Sequence, residues 1–236
     1  MVKKFIIVLS LLLVGGAAYA YHYWFQLTKL PEWYQSQQPS VDRAINIKDI
    51  SEIQAAKAQI NDKIQQQIQQ ETSKLNNGGV DIKLDEQEIN QLLISNVAEN
   101  SNQRKILQAA KSIKTNVADN TIEIGAAIDP SQIPAESLTK SQKKILDRAL
   151  NIFPQLKNKD VYIGIQGQPR AKNGRLIFDS NSKIKVGNIS LDINELSQRL
   201  GLSPEKVRQQ LELEINQLNI RDVDLNGNEV IFRVAN

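Results

Sequence analysis

The sequence predicts an α+β fold: a curved antiparallel sheet wrapped against amphipathic helices, preceded by one N-terminal transmembrane helix. Three observations lead there. Short segments alternate aliphatic residues with Lys, Arg, Asn, Asp or Gln, the pattern of strands with one face on a core and one in water. Between them lie segments of helical spacing that open on capping signals. Ahead of both, Lys3 and Lys4 precede an apolar stretch from Phe5 to Phe25.

That stretch has two readings. A secretory signal peptide needs a basic start, a short apolar run and a small-x-small cleavage site, and Ala18-Tyr19-Ala20 supplies one. A spanning helix needs about 20 apolar residues with aromatics at the water boundary; Tyr19 to Phe25 supplies such a belt, and the retained anchor is the preferred reading. Either way the basic end stays in the cytoplasm and the rest is exported, which argues against a nucleic-acid partner. Residues 1–28 are then a cytoplasmic stub and anchor, 29–50 a polar, proline-punctuated linker, and 51–236 an extracytoplasmic domain. His22, Trp33 and Tyr34 fit the bilayer interface.

Residues 51–75 read as a leading helix with Ile53, Ile60, Ile64 and Ile68 on one narrow stripe amid glutamines, lying on the domain; Asn76 to Gly79 ends it. Val80, Ile82 and Leu84 form a strand. Asp85 with Glu88 makes a capping box for a helix with Ile89, Leu92, Leu93 and Val97 on its apolar face. Ile113 and Val117 pair across Ala118-Asp119-Asn120 with Ile122, Ile124 and Ile128 as a hairpin. A basic amphipathic helix over 139–153 buries Ile145, Ala149, Ile152 and Phe153. Val161, Ile163 and Ile165 form a strand, and Leu176 and Phe178 another after Asn173-Gly174. Ile184, Val186, Ile189 and Leu191 read as one strand bulged or bent at Gly187-Asn188. Asp192 and Ser203-Pro204 start two more helices, the second carrying Val207, Leu211, Ile215 and Leu218. Asn226-Gly227 joins a closing hairpin of Ile220, Val223 and Leu225 with Val230, Phe232 and Val234.

Composition excludes much chemistry. There is no cysteine, and His22 is the one histidine; thiolate nucleophiles, Cys-ligated zinc and disulfides are absent from the chain, and a metal site of several histidines cannot form within it. Only four of the twelve aromatics lie beyond residue 35, namely Phe153, Tyr162, Phe178 and Phe232. Gly164-Ile165-Gln166-Gly167 has no helix to receive a phosphate and reads as a turn after a strand. Asp85, Glu86 and Glu88 are explained by helix capping, and Asp222 with Asp224 lacks the further oxygens of a calcium loop. No catalytic residue, cofactor or metal site is expected.

What remains is apolar. Ile113, Val117, Ile122, Ile124, Ile163, Ile165, Phe178, Ile184, Val186 and Phe232 give aliphatic walls that suit an acyl chain as well as they suit an ordinary core. Between Lys140 and Lys185, eleven basic residues face three acidic ones. Lys140, Lys143, Lys144 and Arg148 in that segment are the head-group candidates, or else a solvated helix face.

Two motifs carry a family likeness. Asp85-Glu86-Gln87-Glu88-Ile89-Asn90-Gln91-Leu92-Leu93 after a short strand resembles the acidic-x-x-glutamate-Leu/Ile-Asn-x-Leu-Leu opening of small membrane-anchored proteins. Ile184-Lys185-Val186-Gly187-Asn188-Ile189-Ser190-Leu191 is similar to their strand, glycine, strand element before a helix. Over residues 80–236 the chain resembles the YpmS-like and related single-anchor bacterial envelope families with a tubular lipid-binding (TULIP-like) fold. The resemblance implies a sheet around a long helix, an apolar groove for lipid, and no catalytic residues. The function expected is therefore that of a membrane-anchored, extracytoplasmic, lipid-binding carrier or sensor in the cell membrane, with membrane lipid as partner. The alternative is a tethered, non-enzymatic interaction module that holds an envelope protein through its glutamine-rich helix or a strand edge.

Overall fold

A computed structural model of the chain describes residues 26, 29–32, 48–72, 79–152, 154–214 and 219–234. Among them are eleven strands and six α-helices, an α+β fold with a multi-stranded antiparallel sheet. Helix α1 (Ile50–Thr72) begins where the Asp49 carboxylate accepts from the Ser51 amide at 2.9 Å. Its Ile53, Ala56, Ile60 and Ile64 stripe is narrow but fully buried. β1 (Val80–Asp85) leads into α2 (Glu86–Glu99). The capping box forms there: the Glu88 amide donates to Asp85 Oδ1 at 2.9 Å, and the Asp85 amide to Glu88 Oε2 at 2.8 Å. α3 (Ser101–Ala109), capped by Asn100, runs directly into β2 (Ala110–Ala118).

β2 and β3 (Thr121–Ile128) form the expected hairpin. Asp119 and Asn120 both have positive φ, 51° and 55°, as a two-residue turn with the sheet's own twist demands. Two single-turn helices, Pro130–Gln132 and Ala135–Ser137, lead to α4 (Lys140–Ile152), and a third, Pro154–Leu156, to β4 (Val161–Gly167). β5 (Pro169–Lys172) and β6 (Arg175–Phe178) follow, turned at Asn173-Gly174.

The segment expected as one bent strand is two. β7 (Lys183–Val186) and β8 (Ile189–Asp192) pair antiparallel, Val186 opposite Ile189 and Ile184 opposite Leu191. Gly187, at φ 58°, takes the first turn position, where an L side chain would be strained. The change of phase in the sequence is thus a reversal rather than a bulge.

α5 (Ile193–Leu200) is capped by Asp192, whose carboxylate accepts from the Glu195 amide at 2.7 Å. α6 (Pro204–Gln210) is shorter than its apolar spacing predicts. Leu213 and Glu214 instead form β9 on the edge of β6, supported by an Arg175–Glu212 ion pair of 3.1 Å. Ile215 and Leu218 lie outside the described residues. β10 (Ile220–Asn226) and β11 (Glu229–Val234) close the chain, with a bulge between Ile220 and Asp222 that absorbs the change of phase from Ile220 to Val223.

The strands make sheets ordered β1-β11-β10, β2-β3-β4-β7-β8 and β5-β6-β9. One core cluster joins all three layers. It holds Ile60 and Ile64 of α1, Val80, Ile82 and Leu84 of β1, Ile89, Leu92 and Leu93 of α2, and Val230, Phe232 and Val234 of β11, together with Phe178, Ile165 and Ile184. Each such side chain contributes about 1.5–3 kcal/mol by leaving water.

Candidate functional site

The five-stranded sheet has an apolar face whose rows can be read across the register. One row is Thr115, Ile124, Ile165, Ile184 and Leu191; the next is Ile113, Ala126, Ile163, Val186 and Ile189. The first row lies largely in the core, with Thr115 buried and donating from Oγ1 to Asn90 Oδ1 of α2 at 2.8 Å. The second row is covered only at its ends. Ile113 and Ala126 flank a cluster of Ile53, Ile94, Ala98, Leu107 and Ala110, while Val186 and Ile189 join Leu150, Leu156 and Val161. Between these two clusters Ile163 is 40% exposed. The face is a strip with packed ends and an uncovered middle.

The ten apolar candidates are therefore divided. Val117, Ile122, Ile165, Phe178, Ile184 and Phe232 belong to the main core, and Ile124 packs against it. Ile113, Ile163 and Val186 form the second row. Its other members, Ala126 and Ile189, were not among the candidates, because only the register puts Ala126 beside Ile163 and Ile189 beside Val186 in the same row.

α4 edges this strip. Ile145, Leu146, Ala149 and Leu150 on its apolar side are half-buried rather than buried, and Lys140, Lys143 and Lys144 are exposed; the side chains of Ile152 and Phe153 lie outside the described residues. Arg148 has a structural engagement. Its Nη1 donates to the Leu200 carbonyl at 2.6 Å, at the C-terminus of α5, where free carbonyls favour a cation. The three lysines and Arg148 thus share a helix but not a surroundings.

The opposite, polar face carries a feature with no counterpart in the motif search. Tyr162 is fully buried there, and its hydroxyl donates to Glu123 Oε1 at 2.8 Å. The ring lies across Gly125 and Gly164, where an added Cβ would stand 2.3 and 2.7 Å from the phenol oxygen. Gly164 to Gly167 is consequently strand β4 itself, not a turn after it, and Gly167 is small because Ser182 lies against it. Leu30 packs on Tyr162 and Ala127, and the Asn188 amide donates to the Gln26 carbonyl at 2.8 Å. Pro31 and Glu32 line a cleft of about 450 Å³ with Glu123, Lys185, Gly187 and Asn188. On β2, opposite Gly125, burial holds the Lys114 ammonium below the ordinary lysine range. The sequence signal was available: glycine and alanine recur at Gly125, Ala127 and Gly164, positions whose alternation calls for polar side chains.

Strand edges are occupied by side chains. Gln67 of α1 donates to the Lys83 carbonyl at 3.0 Å and accepts from its amide at 2.8 Å, standing in for a neighbouring strand beside β1. On edge strand β10 the Asp222 and Asp224 carboxylates accept from the Val223 and Leu225 amides. On β2 the Glu86 carboxylate accepts from the Val117 amide at 2.6 Å. Such pairing blunts an edge that would otherwise template another strand.

Glu86 gives a pH prediction. Burial raises its pKa above the usual carboxylate range, partly offset by the Val117 amide, with Asp85 adding to the rise. The folded state therefore holds this proton more tightly than the unfolded one, and the associated stability is present in acid and lost as pH climbs through the raised value. Glu86→Gln keeps an acceptor for Val117 and removes the titration. The variant is expected to be the more stable protein at pH 7, with its advantage shrinking by pH 4 in urea unfolding. A pH-independent difference would contradict the assignment.

Among the described residues no group of three or more His, Asp or Glu is placed to hold a metal ion, and no helix is long and apolar enough to cross a membrane. The proposed anchor over 5–25, with His22, lies outside the described residues, as do Trp33 and Tyr34. No protein-family model, curated protein or solved structure matches the chain, so the likeness to single-anchor lipid-binding families rests on the two sequence motifs alone.

Proposed function

We propose that this chain is a single-pass membrane protein, N-terminus in the cytoplasm, whose extracytoplasmic domain binds a membrane lipid by an acyl chain without catalysing a reaction. The sheet in this reading curves around the bound chain, as in the TULIP-like families. The observation that carries it is the uncovered middle of the apolar strip at Ile163, 40% exposed between two packed clusters. Aliphatic walls without converging polar groups give contact that is indifferent to stereochemistry, as an acyl chain requires. Lys140, Lys143 and Lys144 on the bordering helix supply charge for a phosphate head group, screened at high salt.

The test is uptake of a fluorescent fatty acid by a fragment beginning at Gln26, which keeps the segment packed on Tyr162, alongside native mass spectrometry for co-purifying lipid. Ile163→Trp fills the open floor from a half-exposed position. Affinity is expected to fall on the order of tenfold, about 1.4 kcal/mol, with the melting temperature nearly unchanged. Unaltered uptake in that variant would remove the strip as the binding site.

A further inference from the structure

The open strip and the arriving anchor meet at one end of the sheet. Val186 and Ile189 flank the Gly187-Asn188 turn, and Leu156 and Val161 join them in a single cluster. At that same turn the Asn188 amide holds the Gln26 carbonyl, and Gln26 is the first residue after the apolar stretch ending at Phe25. If that stretch spans a bilayer, its exit can be no more than one residue from Asn188. Leu30 on Tyr162 and Pro31 beside Gly187 then tie the chain along the polar face, so the connection is short and doubly fixed.

Resting on the anchor in the function proposed above, we infer that the Gly187-Asn188 end of the sheet lies against the bilayer surface, and that the strip takes its acyl chain directly from the membrane. Charge at this end fits anionic head groups. Lys157 and Lys159 are exposed in the loop before β4, and Lys185 lies beside the turn. Of the acids nearby, Asp129 accepts from the Ser131 amide at 2.9 Å, Asp160 pairs with Lys111 at 2.5 Å, Glu123 accepts from Tyr162, and Glu32 lines the cleft with Lys185. The opposite end of the sheet, where Val117, Ile122 and Ile165 join the main core, points away from the membrane.

Because the chain contains no cysteine, single labels are clean. The full chain is placed in nanodiscs of phosphatidylcholine and phosphatidylglycerol carrying doxyl-labelled acyl chains, with an environment-sensitive fluorophore at Asn188→Cys or at Ala118→Cys. Ala118 is exposed at the far end of β2, about 25 Å along a nine-residue strand. The label at 188 is expected to be quenched several-fold more than the label at 118. Lys157→Glu with Lys159→Glu is expected to reduce that quenching in the anionic discs and to leave it unchanged in discs of phosphatidylcholine alone. Equal quenching at the two sites in chains that co-purify with discs would overturn the docking while leaving the anchor standing. A chain that fails to enter discs at all would overturn the anchor, and this inference with it. Loss of fatty-acid uptake in Ile163→Trp reads the strip separately from both.

Discussion

Replacing Gly125 by valine is expected to lower the midpoint of thermal unfolding by roughly 10 °C, the equivalent of about 3 kcal/mol. Strand propensity alone predicts the opposite sign. Glycine inside a strand is worse than alanine by about 0.5–1 kcal/mol, and valine suits a pleated surface well. The Tyr162 ring reverses the sign. A Cβ at residue 125 would stand 2.3 Å from the phenol oxygen and 2.4 Å from Cζ, far inside contact distance. The ring has no easy retreat, because Leu30 packs over it and its hydroxyl is bonded to Glu123, which is only 4% exposed. Displacing it would strip a buried carboxylate of this donor, a penalty of about 1–3 kcal/mol by itself. Melting followed by circular dichroism measures the effect. A midpoint at or above that of the wild type would show that the ring does not occupy the place assigned to it.

Phe232→Ala is expected to be at least as severe, at about 3–5 kcal/mol. Phe232 has no exposed surface and lies on the central strand of the three-stranded sheet, opposite Ile82 and Val223. Its ring fills space among residues drawn from α1, β1 and α2, so truncation leaves a cavity that no single element can close by shifting. Ile163→Ala provides the contrast: the same chemistry at a half-exposed position should change stability by about 1 kcal/mol or less. Urea denaturation of the two variants side by side separates a packed core from an open strip. Similar losses for both would mean that Ile163 is part of the core and that no strip is open.

The glutamine-rich helix shows how far local reading goes. Its stripe was legible from Ile53, Ile60 and Ile64, but the stripe's depth was not; Ile60 and Ile64 are each 2% exposed within the main core. Deleting residues 51–75 would thus remove part of that core, and cannot separate an interaction module from a lipid binder. Gln67 in the same run has a structural task, closing the edge of β1. With β2 and β10 also blunted, strand-edge docking, the basis of the interaction alternative, loses three of its surfaces.

By itself the sequence determined whatever is decided within a few residues. The Asp85 and Glu88 box, the Asp192 and Ser203 caps, and the turns at Asp119-Asn120 and Asn173-Gly174 all form as their side chains and backbone preferences require. The closing hairpin forms too, but it turns at Gly227-Asn228, one residue later than expected, because Asn226 pairs with Glu229. The alternating strands and the α+β class follow from the same short-range periodicity. Tertiary structure alone decided the rest. It turned Gly187-Asn188 into a hairpin, ended α6 early so that Leu213 and Glu214 could pair with β6, and laid Tyr162 over two glycines to reach Glu123, 39 residues away. It also chose which aliphatic side chains are sealed in the core and which, around Ile163, are left half-covered. The physical reason is common to all four. Caps and turns satisfy donors and dihedral preferences within one segment, whereas burial and register depend on which strand or helix arrives alongside, and an alternating pattern is equally consistent with many neighbours.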